Sequence, residues 1–498
     1  MKRDKKWLIL LILLVLATRL PYLLTKAVPF SFDHGRDSMA VLHMIKTYSL
    51  KFIGPWTSIP GLFFGPGWYY LLSPAYIITN GHPMSGVMLM LILGLIQIWL
   101  AYKYLGKEEA IIMATAPIWI ILSTGAANPF PMTLVSLLIL ILLKQIEKKR
   151  KISLKQIIAL GFLTSLGFHF SSATSIFYLL IIPAILFLRK IKLGVKKIGA
   201  GIGAFIIPFI PQLLFEIKNN FLQVKSVAAY FIEGESQHIS RGKISTVNQS
   251  VFHELSLAVL PRIGLFSYFA IGLLIVGLIY ILIKKKLWPF WLEIGILTMV
   301  PVIGFWFLHY SVHYSYGLLP IAVVVVGYLL RSAPKLITIL YLILLLVSPF
   351  YGLYQHYTDT YKVIENSRAF LPIKIKVLEY IYQEAGNKPF SSYQYLPNIY
   401  DYDYQYLYFW QAFNGKPLPV EFSYKPGEIS YVTEKPDLLK KFPKNNEKAE
   451  KVFLIINKPE NVHHYPLDQW LGNIKYKKIV SKKVFSEEVE VWEIVLDV

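Results

Sequence analysis

Cysteine is absent from the 498 residues, which excludes disulfides and thiolate metal ligands. Charge is scarce too. Only 16% of residues are Asp, Glu, Lys or Arg against 55% hydrophobic ones, too few to clothe an ordinary soluble enzyme. Acids are the scarcer sign, 30 against 51 Lys plus Arg, leaving a formal net charge of +21. That excess does not indicate nucleic acid, because the cations sit in short segments between apolar runs. Topology and contact with anionic membrane lipids account for it. No Walker or Rossmann glycine pattern occurs, and no repeat of fixed period. What the chain does have is long apolar runs, so it reads as a polytopic α-helical membrane protein.

Runs of spanning or near-spanning length lie near 7–25, 84–104, 108–124, 131–147, 155–170, 172–189, 197–215, 264–283, 288–308, 315–331 and 335–352. By length these predict about eleven spans. Lys2–Lys6, Lys103 and Lys107, the run Lys144 to Lys155, Arg189–Lys197, Lys284–Lys286, and Arg331 with Lys335 then share one side. The positive-inside rule makes that side cytoplasmic, and the expected location is the plasma membrane. The basic N-terminus before an apolar run mimics a signal peptide, but no small-residue cleavage site follows Pro21, so a retained first helix is expected.

The apolar stretch Gly61–Thr79 would invert the Lys144–Lys155 cluster if it crossed, so it is expected to lie in the outer interface or re-enter. The chain then divides into a transmembrane module, 1–354, and a small extracytoplasmic α/β domain, 355–498. The module carries a first outer loop, 26–83, with interfacial helices. A second outer loop, 217–262, holds Lys218, Lys225, Glu233, Glu235, His238, Arg241, Lys243 and Arg262, and is too long for a connector, so it reads as a lid or substrate loop. In the tail, Leu371–Gly386 has helical spacing. Val452–Ile456 and the alternation through Val489, Val491 and Val495 read as strands. Tyr400–Trp410 reads as an aromatic-rich loop.

Within the first outer loop, Phe32-Asp-His-Gly-Arg-Asp37 places two acids and a cation where the chain leaves the lipid. Charges there are costly unless they have a task. If a helix begins here, Asp33 and Asp37 share a face, with Arg36 beside them. One reading is structural, with Asp33 a helix cap and Asp37 an Arg36 partner. The other is chemical: a carboxylate to act as base on a hydroxyl and fixed positive charge to receive a phosphate.

This motif, the span before it and the interfacial aromatic segment after it resemble the GT-C superfamily of integral-membrane glycosyltransferases. The nearest branches are the protein-mannosyltransferase-like and the 4-amino-arabinose lipid A transferase-like ones. The resemblance implies a GT-C-like fold and a hexosyl or pentosyl transferase. Such an enzyme moves a sugar, with inversion, from a polyprenyl-phosphate donor to a hydroxyl of a lipid, glycan or protein at the outer face. It assigns the essential first-loop acid to Asp33; the adjacent acid pair of the best-known mannosyltransferases is here Asp33-His34, with a second acid only at Asp37. Asp33 and Asp37 are the candidate catalytic residues.

Arg36, His169, Lys218, Arg241, Arg262, His309, His313 and Tyr314 are the candidates for holding the donor phosphate or sugar. His169 ends the 155–170 run, and Pro211–Lys218 resembles the acid-x-basic exits of bacterial members. Phe307–Pro320 crowds His309, Tyr310, His313 and Tyr314 before a proline. Read without the resemblance, these are equally aromatic-belt and helix-end residues. His309 and His313, four apart, are the one pair that suits a divalent metal on a helix, with no third ligand apparent, so no metal site is assigned. Two alternatives stay open: a multi-span transporter or flippase, and a polyprenyl-linked glycan ligase or polymerase.

Overall fold

The computed structural model describes residues 2–149, 151–232, 241–284, 290–396, 401–428, 431–443, 448–458 and 466–497. Among the described residues, six helices are long and apolar enough to cross a membrane: Lys5–Leu24, Ser85–Tyr104, Val195–Lys218, Gly264–Ile283, Val312–Ser332 and Lys335–Asn366. Leu154–Gly167, Ser172–Leu188 and Trp291–Phe307 are apolar but shorter. Along Val195–Lys218 the side chains of Ile202, Ile207 and Ile210 remain exposed, as contact with lipid requires. On its other side this helix meets Leu154–Gly167 closely. A Cβ on Gly161 would lie 2.2 Å from the Gly201 carbonyl oxygen, so small residues set the approach.

The run at 108–124, expected as one span, is two short helices, Lys107–Thr115 and Pro117–Thr124. Pro117 supplies no N–H and pushes Ala116 to extended backbone (φ −72°, ψ 146°). The carbonyls of Met113 and Ala114 at the break accept from the guanidinium of the fully buried Arg19. Gly67–Ile78 within the first loop is 12 residues long. At roughly 18 Å it is shorter than a ~30 Å hydrocarbon core.

The chain forms two compact units. One comprises Met1–Arg19, Lys51–Leu71 and Met90–Leu353; the other comprises Leu20–Leu50, Leu72–Leu89 and Tyr354–Val498. In the second unit, the expected helix is Leu371–Ala385, ended by Gly386 at φ 59°. A five-stranded sheet holds β1 (Phe390–Tyr395), β2 (Phe422–Ser423), β3 (Lys451–Asn457), β4 (Tyr476–Val484) and β5 (Val489–Leu496), ordered β2-β1-β3-β5-β4. β1 runs parallel to β2 and β3, and β5 antiparallel to β3 and β4. Tyr393, Leu454, Ile456, Trp470 and Ile494 pack one core of this sheet.

The aromatic segment expected as a loop is the helix Tyr402–Phe413, with Tyr404, Tyr406, Tyr408 and Phe409 fully buried; Tyr400 lies outside the described residues. The 217–262 segment likewise contains two helices, Leu222–Ile232 and Arg241–Leu257. Glu233, Glu235 and His238 lie outside the described residues.

Candidate active site

In the second unit, the helix Phe32–Thr47 begins inside the charged motif. Its N-cap is Ser31, not Asp33. The Ser31 backbone N–H donates to His34 Nδ1 at 3.3 Å, and the Ser31 hydroxyl lies 3.2 Å from the same nitrogen, a capping box with histidine in the reciprocal position. Burial holds the His34 imidazole down to about 4, with Arg36 adding to the effect and Asp33 opposing it. The ring is therefore neutral near pH 7 and free to cap.

Asp33 sits in the first turn, where the helix dipole favours a carboxylate. Arg36 spans both acids: Nη1 is 2.8 Å from Asp33 Oδ1, and Nη2 is 2.8 Å from Asp37 Oδ1. The carboxylates differ in access, the Asp33 side chain being 69% exposed and that of Asp37 9%. Arg36 and Asp37 thus form the buried brace, and Asp33 is the acid that solvent reaches. Behind this turn, a Cβ on Gly35 would lie 2.3 Å from the backbone nitrogen of Asp403, so glycine is required for the close helix crossing. Asp403 is paired there with Lys374 at 2.5 Å, both buried.

In the first unit, the segment 57–64 folds back through the Trp56–Phe63 bridge. The Phe63 backbone donates to Gln223 Oε1 at 3.0 Å and accepts from Gln212 Nε2 at 3.3 Å. His169, buried, accepts from the Gly67 N–H at 2.9 Å. It fills space that glycine leaves open: a Cβ on Gly65 would stand 2.1 Å from its Nδ1. Glu216, also buried, accepts from the backbone N–H groups of Gln223 and Val224, both at 3.1 Å, and so caps Leu222–Ile232.

These contacts frame an apolar groove of about 500 Å³ lined by Phe63, Phe168, Phe209, Val227, His309 and Tyr314, among others. Its polar corner is the turn before the helix Leu319–Ser332. The Tyr314 carbonyl accepts from Thr174 Oγ1 at 2.6 Å and that of Gly317 from the Tyr178 hydroxyl at 2.9 Å. The His309 and His313 rings stand edge-on to Tyr314 at 6.3 and 4.7 Å.

Of the candidates in this unit, His309 and Tyr314 line the groove and His313 touches Tyr314, whereas His169 clasps the backbone beneath it. Lys218, Arg241 and Arg262 are exposed and outside the groove lining. His309 and His313 do not share a helical face, since the 3-10 turn starts only at Val312. No group of three His, Asp or Glu suited to a metal occurs among the described residues. Gln212 and Gln223 also line the groove, and the sequence motifs single out neither them nor the buried Glu254. Glu254 carries a signal: the buried stripe Val247, Val251, Glu254, Ala258 is apolar except for the acid.

No protein-family model and no curated protein matches the sequence. Solved structures do match. The crystal structure of ArnT from Cupriavidus metallidurans in the apo state aligns over 98% of both chains with a TM-score of 0.59 at 12% identity. The chain has the ArnT fold. ArnT bound to undecaprenyl phosphate aligns over the same 98% of each chain with a TM-score of 0.58, again at 12% identity. ArnT, the 4-amino-arabinose lipid A transferase, is a GT-C glycosyltransferase, so the resemblance carried by Phe32–Asp37 holds at the level of fold.

Proposed function

We propose that the protein is a glycosyltransferase that takes a hexosyl or pentosyl group from a polyprenyl-phosphate donor. It passes the sugar, with inversion, to a hydroxyl of a lipid, glycan or protein at the outer face of the plasma membrane. The N-terminus is cytoplasmic and the C-terminal segment extracytoplasmic in this reading. The observation that carries it is Asp33, an exposed carboxylate fixed at a helix start by Arg36, on a chain with the ArnT fold. Asp33 takes the proton of the acceptor hydroxyl as its oxygen attacks the anomeric carbon. The bond from that carbon to the phosphate oxygen breaks, and the electron pair leaves with the phosphate. Cations receive that charge, with His313 and the exposed Lys218, Arg241 and Arg262 as candidates.

The apolar groove with His309 and Tyr314 at its polar corner suits a polyprenyl chain ending in a phosphate. The undecaprenyl phosphate complex of ArnT supports the same class of donor. The test is incubation of the purified protein, in membranes, with radiolabelled polyprenyl-phosphate sugars and an envelope extract as acceptor. Label appearing in a new glycoconjugate is the expected result. Uptake or flipping of label without a new glycosidic bond would overturn the assignment in favour of transport.

A further inference from the structure

Arg241–Leu257 is amphipathic except at one place. Its buried face runs Val247, Val251, Glu254, and Glu254 is only 7% exposed. A buried carboxylate normally has both oxygens satisfied. Here Oε2 is buried and meets no hydrogen-bond donor among the described residues. Burial accordingly pushes the Glu254 carboxyl above the usual range.

The surroundings are hydroxyls. Ser250, one helical turn before Glu254, accepts from the Tyr310 hydroxyl at 3.1 Å. The Ser315 side chain also bears on the Tyr310 hydroxyl. Glu254 bears electrostatically on both the Tyr310 and Tyr316 hydroxyls. Tyr310 in turn stands edge-on to Tyr314, at 6.5 Å between ring centres, and Tyr314 lines the groove. One aromatic ring therefore separates the apolar groove from a cluster of one carboxyl, two phenols and two serines.

A negative group here repels a phosphate, so the cluster does not suit the phosphate end of the donor. A carboxylate oxygen lacking a donor, beside hydroxyls that both give and accept, suits a sugar, whose ring hydroxyls or amino group supply the missing hydrogen bond. We infer that Glu254, with Tyr310 and Tyr316, is a specificity subsite that hydrogen-bonds the sugar carried by the polyprenyl phosphate. This rests on the donor class proposed above and goes beyond it by separating the residues that hold the sugar from those that hold the lipid.

The test compares binding of bare undecaprenyl phosphate with that of undecaprenyl-phosphoryl mannose, a neutral hexose, and undecaprenyl-phosphoryl 4-aminoarabinose, an amino sugar. The parent protein, Glu254→Gln and Tyr310→Phe are measured in detergent. The parent is expected to prefer at least one sugar-bearing lipid over the bare one. Glu254→Gln removes about tenfold of that preference and leaves the bare lipid unchanged, and Tyr310→Phe weakens it in the same direction. Tyr310→Phe keeps the ring packing and so reads the hydroxyl even where Glu254→Gln folds poorly. The inference is overturned if the parent shows no preference for either sugar. It is also overturned if both variants keep the parent's preference, or if they weaken bare and sugar-bearing lipids equally. A parent protein that binds no bare undecaprenyl phosphate would overturn the donor reading, and the inference with it.

Discussion

Two polar islands interrupt this apolar chain, residues 31–38 in one compact unit and 308–316 in the other, and they are held in opposite ways. The first is built from charge: Arg36 between Asp33 and Asp37 at a helix start. The second is built from hydroxyl donors and rings: Thr174 and Tyr178 on its carbonyls, and histidines edge-on to Tyr314. A charged brace leaves one carboxylate exposed. A brace of hydroxyls and rings leaves a greasy wall with a polar rim. The contrast implies that the first island breaks on loss of charge, whereas the second tolerates it and responds only mildly to loss of single hydroxyls.

The largest stability effect is expected from Arg36→Met, which takes the guanidinium from the buried Asp37 carboxylate and should cost about 3–5 kcal/mol, read as a fall in melting temperature in detergent. Gly35→Ala comes next. The added methyl meets the Asp403 backbone at 2.3 Å, and prying the helices apart should cost about 1–3 kcal/mol in the same assay.

His34 gives the pH dependence. Its folded pKa, about 4, lies below the ordinary 6.5, so the unfolded chain binds the proton more readily. Its contribution is complete above pH 6.5 and is lost as pH falls from there toward 4. His34→Gln, which keeps the cap, should remove on the order of 1–2 kcal/mol of that slope. In the second island, Thr174→Val removes one hydrogen bond to the Tyr314 carbonyl, for about 1 kcal/mol and a small rise in KM for the lipid donor. A loss comparable to Arg36→Met would break the contrast between the islands.

Much of the first island was legible because a charge beside a membrane is costly and few residues share the burden. Asp33, Arg36 and Asp37 stood out, and their spacing gave the helix that carries them. The strands β3 and β5 were legible from apolar runs and alternation. β1 was not, since Ser391, Ser392 and Gln394 are polar yet buried in a parallel strand. Helix Tyr402–Phe413 was hidden because tyrosine occupies buried positions all round it, leaving no apolar stripe to detect. The break at Pro117 and the Arg19 contacts that satisfy it were masked by an uninterrupted apolar composition. The exit pattern Pro211–Lys218 pointed toward Lys218, but it is the acid two residues earlier, Glu216, that has a fixed role, as a helix cap. A cap made across a turn depends on tertiary contact that local spacing does not encode.

Single-turnover transfer from a labelled polyprenyl-phosphate sugar, compared between the parent protein and Asp33→Asn, bears most directly on the central claim that Asp33 is the base. Asparagine keeps the shape of the turn and removes the proton acceptor. Transfer should fall by at least about a hundredfold with donor binding and melting temperature close to those of the parent. Transfer at the parent's rate by a folded Asp33→Asn protein would contradict the account.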